Sequence, residues 1–78
     1  MSKNKNSQEL RVRIFGVIDP EEFLQEVVTK RFATLPYFIG HEMIDDGCEY
    51  IVYLYFNPYY KEQVISALAD EHLVYSIE

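Results

Sequence analysis

The side chains best suited to chemistry lie close together in one short segment. His41, Asp45, Asp46 and Cys48 fall within residues 41–48, and the only other histidine is His72. Their spacing matches none of the paired Cys or His patterns of zinc sites, and the segment lacks the ligand periodicity of a calcium loop. Carboxylates beside Cys48 disfavour its thiolate, so it makes a poor nucleophile. The sequence therefore predicts no metal site and no cofactor.

Other catalytic patterns are not found in the sequence. The three glycines, Gly16, Gly40 and Gly47, are scattered and form no phosphate-binding loop. A carboxylate pair such as Glu22 and Asp46 can be imagined as acid and base, but a small protein without an evident pocket offers nothing to shift their pKa values. We expect a non-catalytic protein.

Charge and cysteine content restrict the partners and the compartment. The chain has 78 residues, with 13 acidic against 7 basic side chains and a formal charge of -6. This balance disfavours unspecific binding to nucleic acids and anionic membranes and favours a basic partner. The lone Cys48 indicates a reducing compartment, and no membrane span or signal peptide is evident. We expect a cytoplasmic protein.

The longest apolar run, residues 49–57, predicts the strand around which the rest is organised. Both of its alternating faces are apolar, which is typical of an interior strand. Residues 10–18 alternate as a first strand. Even-numbered side chains of both strands are expected to face the core.

A helix is predicted to start directly after the first strand. Asp19 can cap it, Pro20 suits the first helical position, and Glu22 suits a capping box. Ile18 and Phe23 would form the hydrophobic staple. The helix is expected over residues 20–34.

The remaining residues predict a hairpin, a second helix and a closing strand. Residues 37–44 are extended, and Asp46-Gly47 is a two-residue turn signal that would place Gly40 opposite Tyr53. Asn57-Pro58 repeats the capping device before a helix over residues 59–70. Residues 73–77 form a short last strand.

The resulting order β-α-β-β-α-β predicts an α+β, ferredoxin-like sandwich. Its four-stranded antiparallel sheet would have the strand order 4-1-3-2, with two helices on one face. The two halves also align with each other, Asp19-Pro20 on Asn57-Pro58 and Phe15 on Tyr53. We expect one domain over residues 9–78 and a flexible tail over residues 1–8.

In this arrangement one face of the sheet is left without helices. The helix-facing side is expected to carry Val12, Ile14, Ile18, Val52, Leu54, Phe56, Leu73, Tyr75 and Ile77. The opposite side is expected to be bare and to carry Arg11, Arg13, Phe15, Val17, Phe38, Ile44, Ile51, Tyr53, Tyr55 and Val74. So large an apolar patch predicts an interface.

Three occupants fit such a face. A second copy of the chain is one, because two-fold association is the commonest way to bury such a patch. A different protein is another, since Tyr, Phe and Arg are enriched at interfaces. The third is single-stranded nucleic acid: the positions of Phe15, Tyr53 and Tyr55 resemble those of the stacking aromatics in RNA-recognition motifs. The acidic charge makes direct nucleic acid binding the least favoured of the three.

Acidic residues are predicted to gather at one pole. Chain direction brings together Asp19, Glu21, Glu22, Asp45, Asp46, Glu49, Asp70 and Glu71, and leaves all seven basic residues elsewhere. Helix capping and the turn explain some of them but not Asp45, Glu49, Asp70 and Glu71. We expect a docking surface for a basic partner.

Together these features predict a regulatory or inhibitory protein-binding module, either a homodimer or a chain that docks on a larger protein, such as one that binds nucleic acid. The alternative is a small-ligand sensor resembling the amino-acid-binding regulatory domains of this fold, with its ligand at a homodimer interface. Asp19-Pro20 stands where such domains would carry a glycine-containing turn.

Overall fold

The computed structural model describes residues 9–78; the predicted tail lies outside them. Within the described residues there are four strands: β1 (Leu10–Val17), β2 (Phe38–Asp45), β3 (Tyr50–Phe56) and β4 (Tyr75–Ile77). Helix α1 begins as an α-helical turn, Pro20–Phe23, and continues as a π-helix, Leu24–Phe32. Helix α2 (Lys61–Asp70) follows a 3₁₀ turn, Pro58–Tyr60.

The strands form one antiparallel sheet in the order β2-β3-β1-β4. This α+β architecture confirms the predicted order, read from the other edge. The apolar strand β3 lies between β1 and β2, as expected of an interior strand. Among residues 9–78, no helix combines the length and apolar character that crossing a bilayer requires.

One side of the sheet and both helices share the hydrophobic core. The core joins Val28 and Phe32 of α1 and Val64 and Leu68 of α2 to even-numbered residues of β1 and β3. Fully buried strand residues are Val12, Ile14, Val52, Leu54 and Phe56. The predicted alternation is therefore confirmed for β3 and for β1 up to Ile14.

Gly16 reverses the alternation at the end of β1. It has φ +74°, a left-handed conformation that glycine adopts without strain, and the pairing with β3 is irregular between Ile14 and Val17. Val17, expected on the bare side, joins the core. Ile18, expected in the core as part of a staple, is 91% exposed. Both predictions were wrong for the same reason.

The position of Phe38 also differs from the prediction. Its ring packs edge-on against the buried Phe56, with centroids 5.5 Å apart, and it adjoins the core instead of the opposite face. The register of β2 shifts between Phe38 and Gly40, so one residue is accommodated without a partner. That irregularity turns Phe38 toward the helices.

The hairpin is longer than the predicted two-residue turn. Asp45 pairs with Tyr50, so Gly40 lies opposite Tyr55 and not Tyr53. A slip of two residues keeps residues 40–45 on their predicted faces, because side chains alternate with a period of two. The assignment of the faces therefore survives the error in register.

Both predicted helix caps are present. The Asp19 carboxylate accepts the N–H of Glu22 at 3.2 Å, and the Asn57 side chain accepts the N–H of Tyr59 at 3.0 Å. The π-helical segment of α1 ends at Phe32, two residues before the predicted end. These caps fix where each helix leaves the sheet.

Candidate functional site

The open face is the side of the sheet away from the helices, and its side chains cover one another. Tyr53, expected to be bare, is only 7% exposed. The Cζ atom of Arg11 lies 4.0 Å from its ring centroid, and that of Arg13 lies 5.9 Å away. The Nε atoms of both arginines are buried without a hydrogen-bond partner among the described residues. The prediction of a bare aromatic face was therefore wrong at its centre.

Glu42 and Glu78 make further polar contacts on the open face, on either side of Tyr53. The hydroxyl of Tyr55 donates to the Glu42 carboxylate at 2.8 Å, and Arg13 lies 3.8 Å from the carboxylate of Glu78. Burial, together with the hydrogen bond to Glu42, raises the pKa of Tyr55 above its ordinary value. These residues are already engaged with one another.

An apolar row crosses the open face where β1 ends and β3 begins. Ile44 pairs with Ile51, which lies opposite the irregularity that contains Phe15, and the N–H of Phe15 donates to the carbonyl of Val74. Ile51 is buried, but Ile44 and Val74 are exposed. Two exposed apolar side chains of this face therefore lie together at one end of the sheet, while Ile39, at the opposite end of β2, is also 52% exposed.

The hairpin at that end uses two of its carboxylates for its own structure. Asp46 accepts the N–H groups of Cys48 and Glu49 at 3.1 and 2.9 Å, and these bonds lower its pKa. Asp45 accepts the N–H of Gly47 at 2.9 Å. The turn therefore explains Asp45 as well as Asp46, although the sequence predicted a structural role only for Asp46.

Five carboxylates remain together at this end, which we call the acidic end. With the adjacent Glu21 as a sixth, all are exposed, and they lie where β1 passes into α1 or in the hairpin: Asp19, Glu22, Asp45, Asp46 and Glu49. Val17 at the end of β1 pairs with Tyr50 at the start of β3, which places these two connections side by side.

At the end of α2, the acidic residues of the predicted pole are not all free of basic neighbours. Glu71 forms an ion pair with Arg31, with Nη1 and Oε2 2.7 Å apart. The expectation that every basic residue lies apart from these acids was wrong for this pair, because the end of α2 packs beside the end of α1. Asp70, the last residue of α2, is exposed.

The sequence pattern did not predict that Ile18 is exposed. It follows the irregular end of β1 and directly precedes Asp19, so an almost fully exposed isoleucine belongs to the acidic end. A glycine within a strand pattern is a signal of a bulge, and Gly16 could have indicated that the parity changes.

A cleft of about 390 Å³ opens beside Ile18, between the end of β1, the first turns of α1 and Leu73. Its lining includes Glu22. The sequence pattern had not made this cleft evident. Phe23 and Val27 of α1, which line the cleft, are only half-buried.

The side chains first considered for chemistry do not assemble into a site. His41, Cys48 and His72 are all exposed. Within residues 9–78, no three His, Cys, Asp or Glu side chains are arranged to hold a metal ion. His72, two residues after the end of α2, has φ +57°, and its N–H donates to the carbonyl of Ala69.

Comparison with known proteins adds no relative. No protein-family model matches the chain, and neither the curated proteins nor the solved structures give a match.

Proposed function

We propose that this chain is a non-catalytic binding module that docks on a basic protein through the acidic end and the exposed apolar side chains beside it. The observation that carries the proposal is the position of Ile18, Ile44 and Val74. All three are exposed, and all lie at the end of the sheet that holds the acidic end.

Exposed apolar side chains ringed by charge are typical of interaction sites. Ile18 is 91% exposed and Val74 68% exposed, values that favour burial against a partner. The surrounding carboxylates favour a partner with Lys or Arg around an apolar centre, since complementary charge speeds association and selects the partner.

The distribution of basic residues supports the same partner. Three basic side chains within residues 9–78 are paired with carboxylates outside the acidic end, in Arg13–Glu78, Lys30–Glu26 and Arg31–Glu71. None of the ion pairs among the described residues involves a carboxylate of the acidic end. A formal charge of -6 adds long-range attraction to a basic surface.

The rest of the open face supports a secondary role. Arg11, Tyr53 and Tyr55 already contact neighbouring side chains, so docking there would have to break existing contacts. In the proposal this part of the face borders the interface and does not form its centre.

The proposal includes the fold, the compartment and the mode of action. The order β-α-β-β-α-β with strand order 4-1-3-2 supports a ferredoxin-like assignment. The exposed single thiol of Cys48 supports a reducing compartment such as the cytoplasm. A small module of this kind acts as a regulator or inhibitor by occupying the basic surface of its partner.

Site-specific photo-crosslinking tests the proposal. A photoreactive amino acid replaces Ile18 in one variant and Tyr59 in another, and each is irradiated in the cells that produce the chain. Tyr59 is the matched control because it is 84% exposed but belongs to the turn before α2, beyond the far end of β3. We expect the probe at position 18 to form a crosslink to a basic protein, and the probe at position 59 to form no crosslink to that protein.

The same crosslink should weaken as salt is raised, because screening acts on exposed charges. Equal yields from both positions, a partner without a basic surface, or a second copy of this chain as the product would overturn the proposal.

A further inference from the structure

We infer that the cleft beside Ile18 is a binding site for a small organic cation, an ammonium group carried on a single aromatic or branched apolar body. This inference does not depend on the proposed protein partner. It rests on the cleft walls, on the carboxylates beside them and on the size of the opening.

The walls of the cleft are apolar and incompletely covered. Ile14 and Val17 form its buried floor, while Phe15, Phe23 and Leu73 are half-buried. Water at such a surface is displaced favourably by an apolar body. The volume of about 390 Å³ lies near the lower limit of ligand pockets, which suits one ring or a short branched chain.

The polar side chains that line the cleft set the sign of the ligand charge. Asp19, Glu22 and Glu26 are its ionisable residues, and no basic side chain lines it. Glu26 is already paired with Lys30 at 3.0 Å. Among residues 9–78, Asp19 and Glu22 form no ion pair, so these two carboxylates favour a ligand cation.

The start of α1 does not compete for an anion. The Asp19 carboxylate already accepts the N–H of Glu22, and Pro20 offers no N–H. Glu21 does not line the cleft, so an anionic ligand there would meet occupied or missing N–H donors and three carboxylates. The cleft therefore discriminates by charge as well as by shape.

Titration with three related probes tests the inference. The probes are 2-phenylethylammonium, its neutral isostere 2-phenylethanol, and phenylacetate, each followed by amide chemical shifts of the full chain. We expect saturable shifts around Gly16, Phe23 and Leu73 with a Kd on the order of millimolar, as ligands of this size allow. The alcohol should bind about twofold to fivefold more weakly, the effect of an exposed ion pair, and phenylacetate more weakly still.

Two variants separate charge from shape. Glu22→Gln should weaken 2-phenylethylammonium by about twofold to fivefold and leave 2-phenylethanol unchanged. Glu62→Gln is the matched control, because Glu62 is also an exposed glutamate in the first turn of a helix. Val27→Phe should fill the cleft and abolish binding of both probes, with its fold checked by the dispersion of the amide spectrum.

Equal affinity for the ammonium and the alcohol would overturn the inference, as would equal effects of the two glutamine variants or shifts centred away from the cleft. Absence of saturable binding up to about 10 mM, the weak limit for so small a ligand, would also overturn it. None of these outcomes bears on crosslinking from position 18, so the two proposals fail separately.

Discussion

Arg11 and Tyr53 form the closest cation–π contact on the open face. The guanidinium carbon lies 4.0 Å from the ring centroid, and the Nε atom is buried. A guanidinium partly removed from water interacts more strongly with an aromatic ring than a fully hydrated one. The pair therefore stabilises the sheet in addition to shielding the ring from solvent.

A double-mutant cycle measures this contact. Combining Arg11→Met, which keeps the apolar stem, with Tyr53→Leu should reveal a coupling of about 0.5–1 kcal/mol in the free energy of unfolding by urea. The control cycle pairs Arg11→Met with Tyr59→Leu, which should be additive because Tyr59 lies elsewhere. Additivity in both cycles would contradict the contact.

Titration of Tyr55 makes the free energy of unfolding depend on pH in the alkaline range. Its pKa is raised above 10.0 in the folded state by burial and by the hydrogen bond to Glu42. The folded chain therefore holds this proton more tightly than the unfolded chain. The stabilisation is complete below pH 10.0 and is lost as pH rises through the folded pKa.

Urea midpoints at about pH 9 and about pH 11 test this dependence. The unmodified chain should lose more stability across that interval than Tyr55→Phe, which has no phenolic proton to lose. Tyr59→Phe, on an exposed tyrosine, serves as control and should behave like the unmodified chain. Equal losses in Tyr55→Phe and in the unmodified chain would show that Tyr55 titrates normally.

At the scale of the elements, the conformation at the end of β1 determines which apolar side chain is exposed at the acidic end. Gly16 adopts φ +74°, which sends Val17 into the core and Ile18 to the surface. A regular strand would bury Ile18 and expose Val17. The positive φ of one glycine therefore creates both the exposed isoleucine and one wall of the cleft.

Alanine substitutions at two glycines test this role. Neither a Cβ at Gly16 nor one at Gly40 would meet any atom within 4 Å, so only the backbone conformation differs. Gly16→Ala should lower the free energy of unfolding by about 1–2 kcal/mol, the cost of the left-handed region. Gly40→Ala, at an ordinary strand φ, should cause no loss. Equal effects at both positions in thermal unfolding would rule out the conformational explanation.

The sequence predicted the elements well because their signals are local. Asp19-Pro20 and Asn57-Pro58 specify helix starts, and the alternation of β3 specifies its two faces. Gly16 was misread because a strand pattern does not reveal the sign of φ. Phe38 was misplaced because alternation fails at an unpaired residue.

The candidate site was harder to predict than the fold. Composition suggested a bare aromatic face, but the orientation of Arg11 over Tyr53 depends on which residues become neighbours across strands. Such cross-strand contacts follow only from the register. The acidic end was partly foreseen, since chain direction alone brings Asp19 and the hairpin together, while the cleft was not.

At the scale of the whole molecule, the acidic end carries three exposed apolar side chains, Ile18, Ile44 and Val74, while Ile39 and Tyr59 are exposed elsewhere. The rest of the open face is occupied by its own side chains, so it offers little surface for a second copy. We therefore expect a monomer, with a mass near 9.3 kDa by sedimentation at micromolar concentration and moderate salt. A mass of twice that value, lost in Ile44→Glu, would instead favour face-to-face pairing.

The sedimentation experiment must be carried out with Cys48 reduced or replaced. Its thiol is exposed at the tip of the hairpin, and the chain has no second cysteine with which to form an internal bridge. During aerobic storage two hairpins can be joined by an intermolecular disulfide, which would mimic a dimer while blocking the acidic end. Handling under reductant, or with Cys48→Ser, separates this oxidation product from genuine self-association.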